Sequence, residues 1–519
     1  MSDPSVRFAW HPEPELLDYG TRTSRPAMER LGADTWATAL DFLYDQAAER
    51  AMGDPLPYPA LRASFFGSTG GPAPAPVSPT PIAAILEEFR ERLAGGQMNA
   101  QHPRQFGYFT PPPLPVSMMG ELLAQMTNQG VDVWHAGPLA TFVEEEVVRW
   151  LCDLIEFGPS AFGLLTSGGV MANFMGMALA RDGHLGRILD AGRPPRGAML
   201  EGVRVYASDQ THFSIARALD LLGFPPETLV VVPSDDRFRL HGAEVARAVA
   251  RDRAAGCTPF AIAAVAGSTN TGSVDRIGEL ADVAEAEGLW LHVDAAYGGG
   301  ARLSIRDRDR VADLDRADSV TVDPHKWFFQ AYDIGGLLVR DGTHLVQTFG
   351  GRAPEYYRGG ETVEPDAHEA TDQLNFYKLS FEGTRRWRAL KLWMSWKHLG
   401  TEGFGRLVEA NDDLAAQLAR RCAQSDDFEA IPEIPELSVV CFRHLPGGLE
   451  AAYALPPGEL DSHQDRLQRA LEVSGDGWLT TTQLRGATWL RAGIVNYLTT
   501  EADIERLLAT LRRLATDGV

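Results

Sequence analysis

Basic residues are in short supply in this chain. Lys and Arg number 48 against 70 Asp and Glu, a formal net charge of −22 at pH 7. So acidic a surface repels the nucleic-acid backbone and anionic lipid, which argues against nonspecific nucleic-acid binding and membrane-surface attachment. Cysteine is scarce too. Cys152, Cys257, Cys422 and Cys441 are scattered, with no Cys-x-x-Cys pair and no Cys/His cluster of zinc-site spacing. They read as free thiols of a reducing compartment, and no metal site is expected. No apolar run approaches the roughly 18 residues of a membrane span. The first residues lack the basic start and apolar run of a signal peptide. These absences lead to the expectation of a cytoplasmic protein with no nucleic-acid or membrane partner.

What is present is ordinary globular material. The chain has 519 residues, 44% hydrophobic and 23% charged, enough for two or three domains. Gly67–Pro81 is low in complexity and rich in Pro and Gly, an extended linker within a helical N-terminal segment, 1–115. Trp36–Arg50 reads as an amphipathic helix within that segment. Alternating strand and helix patterns then predict a large α/β domain, 116–386. Its strands are expected at Val203–Ser208, Thr228–Pro233, Ala261–Ala266, Leu289–Val293, Ser319–Val322 and Ile334–Arg340. Helices are expected at Val116–Gln129, Ala140–Leu154, Val245–Ala255 and Ile277–Glu287. The run Glu144-Glu-Glu146 reads as a solvated first turn favoured by the helix dipole. Phe349–Gln373 reads as a long lid-like loop. A small C-terminal domain, 387–519, opens on a helix Ala389–Leu399 and has strands at Leu437–Arg443 and Thr488–Val495.

Two stretches carry chemistry. Ser319-Val-Thr-Val-Asp-Pro-His-Lys-Trp327 is a short strand stopped by Pro324, which has no N–H to give a ladder. Lys326 follows His325 and precedes Trp327, Phe328 and Phe329. Burial there would disfavour the charged amine and suit attack on a carbonyl. Upstream, Leu289, Leu291 and Val293 alternate into a strand that ends on Asp294. Ligands of open α/β sheets gather at such ends. An aspartate there can pair with a protonated ring nitrogen, and Ala295 and Ala296 leave room for a flat ring. A third signal is Leu164-Leu-Thr-Ser-Gly-Gly-Val-Met-Ala-Asn-Phe174, a strand, glycine turn and helix start, where backbone N–H groups suit a phosphate.

His292-Val-Asp-Ala-Ala-Tyr297 followed by Asp323-Pro-His-Lys-Trp327 resembles the group II pyridoxal-phosphate-dependent amino acid decarboxylases, of the aromatic, glutamate and diaminobutyrate type. The resemblance runs from about His102 to the C-terminus. It implies the fold type I architecture: a mainly parallel seven-stranded sheet with helices on both faces, an N-terminal segment and a small α+β C-terminal domain. It implies a homodimer with shared active sites and pyridoxal 5′-phosphate as cofactor. Lys326 would carry the cofactor and Asp294 would face its ring nitrogen. Gly168, Gly169 and Asn173 would form the phosphate site, and His212, in Asp209-Gln-Thr-His212, would stack on the ring. Ser268, Thr269, Ala296 and His325 would complete the cofactor contacts. Tyr356, with Tyr357 as rival, would be the lid tyrosine that protonates the product carbanion. For the substrate, the resemblance implicates Tyr108, Phe109 and Pro111 in the loop His102–Pro115, Asp132 in Asn128–Pro138, and Arg491 for the carboxylate.

The implied reaction is α-decarboxylation of an L-amino acid to an amine. The aromatic loop favours an aromatic substrate. Asp132 keeps a diamino acid such as 2,4-diaminobutyrate open as the alternative. A decarboxylating aldehyde synthase or oxidase on the same scaffold is a third reading, opposed by the presence of both Tyr356 and His212.

Overall fold

The strands form where β-branched and apolar residues are flanked by turn formers, and burial on both faces makes them continuous apolar runs rather than alternating ones. The structure, a computed structural model, describes residues 8–18, 24–46, 50–51, 56–67, 71–350 and 373–517. Seven strands make one sheet: β1 Phe162–Thr166, β2 Val203–Ser208, β3 Leu229–Val232, β4 Thr258–Val265, β5 Trp290–Asp294, β6 Ser319–Val322 and β7 Gly335–Val339. Their order across the sheet is β1-β7-β6-β5-β4-β2-β3. Strands β6, β5, β4, β2 and β3 are parallel neighbours, while β7 runs antiparallel to both β1 and β6.

The sheet is packed on both faces because successive side chains alternate across it. Leu291 and Val293 of β5 join the core on one face with Ile262, Ala264, Val320 and Val322. Trp290 joins the other face with Phe260, Ala263, Leu337 and Val339. Each fully buried aliphatic side chain contributes on the order of 1.5–3 kcal/mol.

Helices cover the sheet close to the expected bounds, at Pro138–Leu154, Gly169–Leu179, Gly242–Ala254 and Ile277–Glu287, while Pro115–Thr127 packs on the helix Ala389–Ala423. Gly120 lets Pro115–Thr127 approach Ala389–Ala423 closely, since a Cβ there would lie 2.6 Å from the Lys391 Cα. The predicted helix Ala389–Leu399 is only the first part of Ala389–Ala423, which is interrupted at Gly400 with φ +65°. Of the expected helix Trp36–Arg50, Trp36–Asp41 ends the helix Arg25–Asp41 and Phe42–Gln46 is a π-helical turn, while residues 47–49 lie outside the described residues. Four strands, β8 Phe428–Ile431, β9 Val439–His444, β10 Thr480–Leu484 and β11 Ala487–Gly493, form a second sheet in the order β10-β11-β9-β8.

The chain divides into two compact units. One unit is 1–107 with 456–481 and 498–519; the other is 108–455 with 482–497. In the first, ladder bonds join Phe106 N–H to the Trp478 carbonyl at 2.7 Å and Arg104 pairs with Asp503 at 3.1 Å. Sequence-distant backbone pairing of this kind leaves no local trace in the sequence. One correction concerns Glu144. The helix begins at Pro138, which places Glu144 past its first turn. Its side chain is fully buried, accepts from Leu165 N–H at 3.0 Å and pairs with the equally buried Arg385.

Candidate active site

The second unit gathers the chemically marked residues beyond the C-terminal ends of its parallel strands. Asp294 closes β5, Lys326 follows β6, Thr269 follows β4 and His212 follows β2. Gly168 and Gly169 follow β1 and open helix Gly169–Leu179. Together with Asn173, Ala296 and His325 these residues line one cavity of about 400 Å³.

Lys326 Nζ lies 3.1 Å from Asp323 Oδ2. The apolar seclusion expected of this amine is therefore not what it finds: a buried carboxylate faces it. Asp323 Oδ1 is buried and, among the described residues, has no hydrogen-bond partner. His325 donates from Nδ1 to the Ile334 carbonyl at 2.6 Å, which fixes its tautomer and leaves Nε2 without a proton, 3.7 Å from Asp323. Burial holds the His325 pKa below its ordinary value. Burial does the same for His212. His212 caps helix Phe213–Leu221, accepting at Nδ1 from the Ser214 backbone N–H. The Ser214 hydroxyl lies 2.7 Å from the same nitrogen.

Asp294 is 6% exposed and accepts on both oxygens, from Ala296 N–H at 3.1 Å and from Asn173 Nδ2 at 2.8 Å. Asn173, expected with the phosphate glycines, is one turn into the helix and points its amide at Asp294 instead. Of the Ser268–Thr269 pair, only Thr269 lines the cavity. The Ser268 hydroxyl is turned away and held by Thr271 and Ser273 at 2.8 and 3.0 Å.

The expected substrate residues divide. Phe109 is buried and stacks on Tyr297 at 4.2 Å, and Tyr297 lines the cavity. Tyr108 is exposed, and Pro111 is buried outside the cavity wall. Arg491 is buried, with its guanidinium 4.7 Å from the Phe109 ring and Nε donating to the Thr269 carbonyl at 2.7 Å. Its Nη2 is buried and has no partner among the described residues. Asp132 does not line this chain's cavity; its carboxylate is folded toward Gly130. Tyr356 and Tyr357 lie outside the described residues.

Asp323 and Tyr332 were not singled out in the sequence. Asp323 stands inside the Asp-Pro-His-Lys motif, and its spacing from Lys326 was the available signal. Tyr332 lines the cavity with its ring 4.7 Å from His325 and its hydroxyl 3.2 Å from Thr110 Oγ1. Its sequence setting, beyond the aromatic run, gave no signal.

Comparison with known proteins adds the family. Residues 68–445 match the pyridoxal-dependent decarboxylase conserved domain. The chain belongs to the pyridoxal-dependent decarboxylases. The aromatic-L-amino-acid decarboxylase of Bacillus atrophaeus is 32% identical over 419 residues, 81% of this chain and 82% of that protein. The L-2,4-diaminobutyrate decarboxylase of Rhizobium meliloti (strain 1021) is 30% identical over 480 residues, 92% of this chain and 90% of that protein. The glutamate decarboxylase domain of a diaminobutyrate-pyruvate transaminase and L-2,4-diaminobutyrate decarboxylase from Vibrio parahaemolyticus has the same fold. It aligns with a TM-score of 0.81 and 26% identity over 96% of this chain and 97% of that one.

This decarboxylase is thus a carboxy-lyase with pyridoxal phosphate as cofactor. The residues present fit that group. A Cβ on Gly169 would lie 2.8 Å from Asp323 Oδ2, so only glycine leaves the turn open beside the helix N-terminus. An acceptor carboxylate at Asp294, the Lys326 amine and the backbone N–H groups at the start of helix Gly169–Leu179 share the cavity, which suits the ring nitrogen, the aldehyde and the phosphate of a phosphorylated pyridine aldehyde.

Proposed function

We propose that this decarboxylase removes the α-carboxylate of an aromatic L-amino acid, with Lys326 holding the cofactor and Asp294 facing its ring nitrogen. One observation carries the choice of substrate. Among the described residues of one chain, the cavity's carboxylates are Asp294 and Asp323, and both are engaged, with Asn173 and Ala296 and with Lys326. Asp294 is thus taken up on both oxygens, and Asp323 is already paired with Lys326 through Oδ2, which leaves a side-chain ammonium no uncommitted carboxylate among these. The stacked Phe109, Tyr297 and Trp327 instead form an apolar wall beside the site, where an unpaired charge would be costly.

Bound pyridoxal phosphate supplies an electron sink for the pair left on the α-carbon when carbon dioxide departs. The protein's part is orientation and proton control. Gly168, Gly169 and the N-terminus of helix Gly169–Leu179 would take the phosphate, with His325 beside them. His212 would lie against the ring face, with Thr269 and Ala296 along the wall. Asp323, 3.1 Å from Lys326 Nζ, would orient that amine. Arg491 Nη2, a buried donor without a partner among the described residues, suits the substrate carboxylate. Tyr356 is proposed as the lid proton donor.

A diamino acid is the second reading, favoured by the Rhizobium meliloti relative and by Asp132 if a partner chain brings it to the site. We further propose a cytoplasmic homodimer. Carbon dioxide release should be assayed across aromatic, acidic and diamino acids with the wild type, Lys326→Ala and Asp132→Ala. Release from aromatic substrates, abolished in Lys326→Ala and kept in Asp132→Ala, is the expected result. Release confined to diamino acids and lost in Asp132→Ala would overturn the aromatic choice, and an active Lys326→Ala would overturn the site.

A further inference from the structure

Through Asn173, Asp294 is tied to a chain of buried side chains, those of Trp290, Ser319, His292 and Thr321, that lie outside the expected cofactor contacts. Trp290 Nε1 donates to Ser319 Oγ at 3.0 Å, and Ser319 Oγ lies 2.8 Å from His292 Nδ1. His292 Nε2 lies 3.0 Å from Asn173 Oδ1, which also accepts from Thr321 Oγ1 at 2.7 Å. Asn173 Nδ2 then donates both to Asp294 Oδ2 and to Ser214 Oγ, each at 2.8 Å. Register explains the assembly. His292 and Asp294 are two apart on β5 and share a face. On β6 they pair with Ser319 and Thr321. The helix carrying Asn173 lies over that face.

The direction of the chain is fixed from its Asp294 end, where the acceptor carboxylate takes Asn173 Nδ2 and leaves Asn173 Oδ1 to accept from Thr321 and from His292 Nε2. At the far end Ser319 Oγ accepts from the Trp290 indole and is free to give its own proton to His292 Nδ1. Burial lowers the His292 pKa to about 4, so the ring is neutral and carries one proton. That proton then sits on Nε2 and is donated to Asn173 Oδ1, which leaves the Asn173 NH₂ facing Asp294 and Ser214. The opposite tautomer would turn the amide oxygen toward Asp294 Oδ2, acceptor against acceptor. We propose that His292 is a positioning residue for Asp294: through Asn173 its tautomer holds Asp294 as an acceptor-only carboxylate and, by way of Ser214, keeps His212 in place. The inference rests on the reading of the Lys326 cavity as the pyridoxal phosphate site.

His292→Gln and His292→Asn test it. Gln sets its amide nitrogen where Nε2 stands and keeps the donor to Asn173, whereas Asn sets it near Nδ1 and loses that donor. Apoprotein is titrated with pyridoxal phosphate by fluorescence, and kcat and KM are measured on the loaded enzyme. His292→Asn should bind the cofactor about tenfold more weakly and lose about tenfold in kcat with KM little changed, and His292→Gln should recover most of both. Equal impairment of the two variants, or wild-type behaviour of His292→Asn, would overturn the proposal. If His292→Asn does not fold, Ser319→Ala decides: it frees the tautomer and should weaken cofactor binding and kcat about threefold, with wild-type values the contrary result. Lys326→Ala keeps the two ideas apart. If it remains active the reading of the site fails; if it is dead while the His292 variants behave as wild type, only the positioning role fails.

Discussion

His292 also sets a stability signature that its chemistry dictates. Its ring is fully buried, and a Cβ on Gly176 would lie 2.7 Å from its Cε1, so water has no room beside it. Folded, it protonates only near pH 4, against the ordinary value of 6.5. Between these values the unfolded chain binds the proton and the folded chain does not, so stability rises with pH across the window. The contribution is intact above pH 6.5 and lost as pH falls toward 4. A pKa separation of that size corresponds to roughly 3 kcal/mol. His292→Gln removes the titration. The wild type's unfolding free energy relative to the Gln variant should therefore fall by about 3 kcal/mol from pH 7 to pH 4, measured by denaturant melts of both. A difference that does not change with pH would mean that the ring already carries its proton or reaches solvent. The comparison between two chains is needed because Asp275, raised by burial to about 7, acts in the opposite sense in both.

At the scale of elements, the local patterns were legible and the long-range partners were not. Val203–Ser208, Ile277–Glu287 and Ser319–Val322 lie where period and turn residues place them, because each is decided by its own few side chains. Lys326 and Asp294 were visible because each closes a strand inside a dense motif. Asn173 was visible only as part of a glycine turn, and its true neighbour, Asp294, comes from a strand 121 positions away. Glu144 shows the same limit. Three consecutive glutamates suggest a wet helix face, but Glu144 meets Arg385 across 241 positions and ties helix Pro138–Leu154 to β1 through Leu165 N–H. Arg385 also donates to the Val131 and Leu165 carbonyls at 2.8 and 2.7 Å and lies 4.6 Å from the Phe376 ring. Glu144→Ala would leave that guanidinium buried without its counter-charge, a loss of about 3–5 kcal/mol. Replacing both, Glu144→Leu with Arg385→Met, should cost much less, because no buried charge is stranded. Thermal melts of the single and double variants check this; a double variant worse than Glu144→Ala would show that the pair itself is strongly stabilising.

At the scale of the molecule, the proposed dimer must form against a charge of −22 on each chain. Like charges oppose association, so burial of apolar surface has to supply the drive. Helix Pro115–Thr127 exposes Leu122, Leu123 and Met126, and helix Pro138–Leu154 exposes Leu139 and Phe142. Met126 is 66% and Leu139 75% exposed, far more than an isolated chain gains by presenting them to water. Both helices pack on Ala389–Ala423, so these residues stand on elements anchored to the unit that holds Lys326. An apolar interface between acidic chains has a distinctive salt response. Added salt screens the repulsion without weakening hydrophobic burial, so dissociation should become harder as ionic strength rises. Sedimentation should therefore give twice the 56.7 kDa chain mass, with the dimer favoured further at high salt. Leu123→Glu combined with Met126→Glu places charge on that surface and should yield monomers with unchanged far-ultraviolet circular dichroism. If each site needs its neighbour, as shared sites require, carbon dioxide release by those monomers should fall by more than about tenfold. A fully active monomer would refute shared sites, and a variant that stays dimeric would place the interface on another surface.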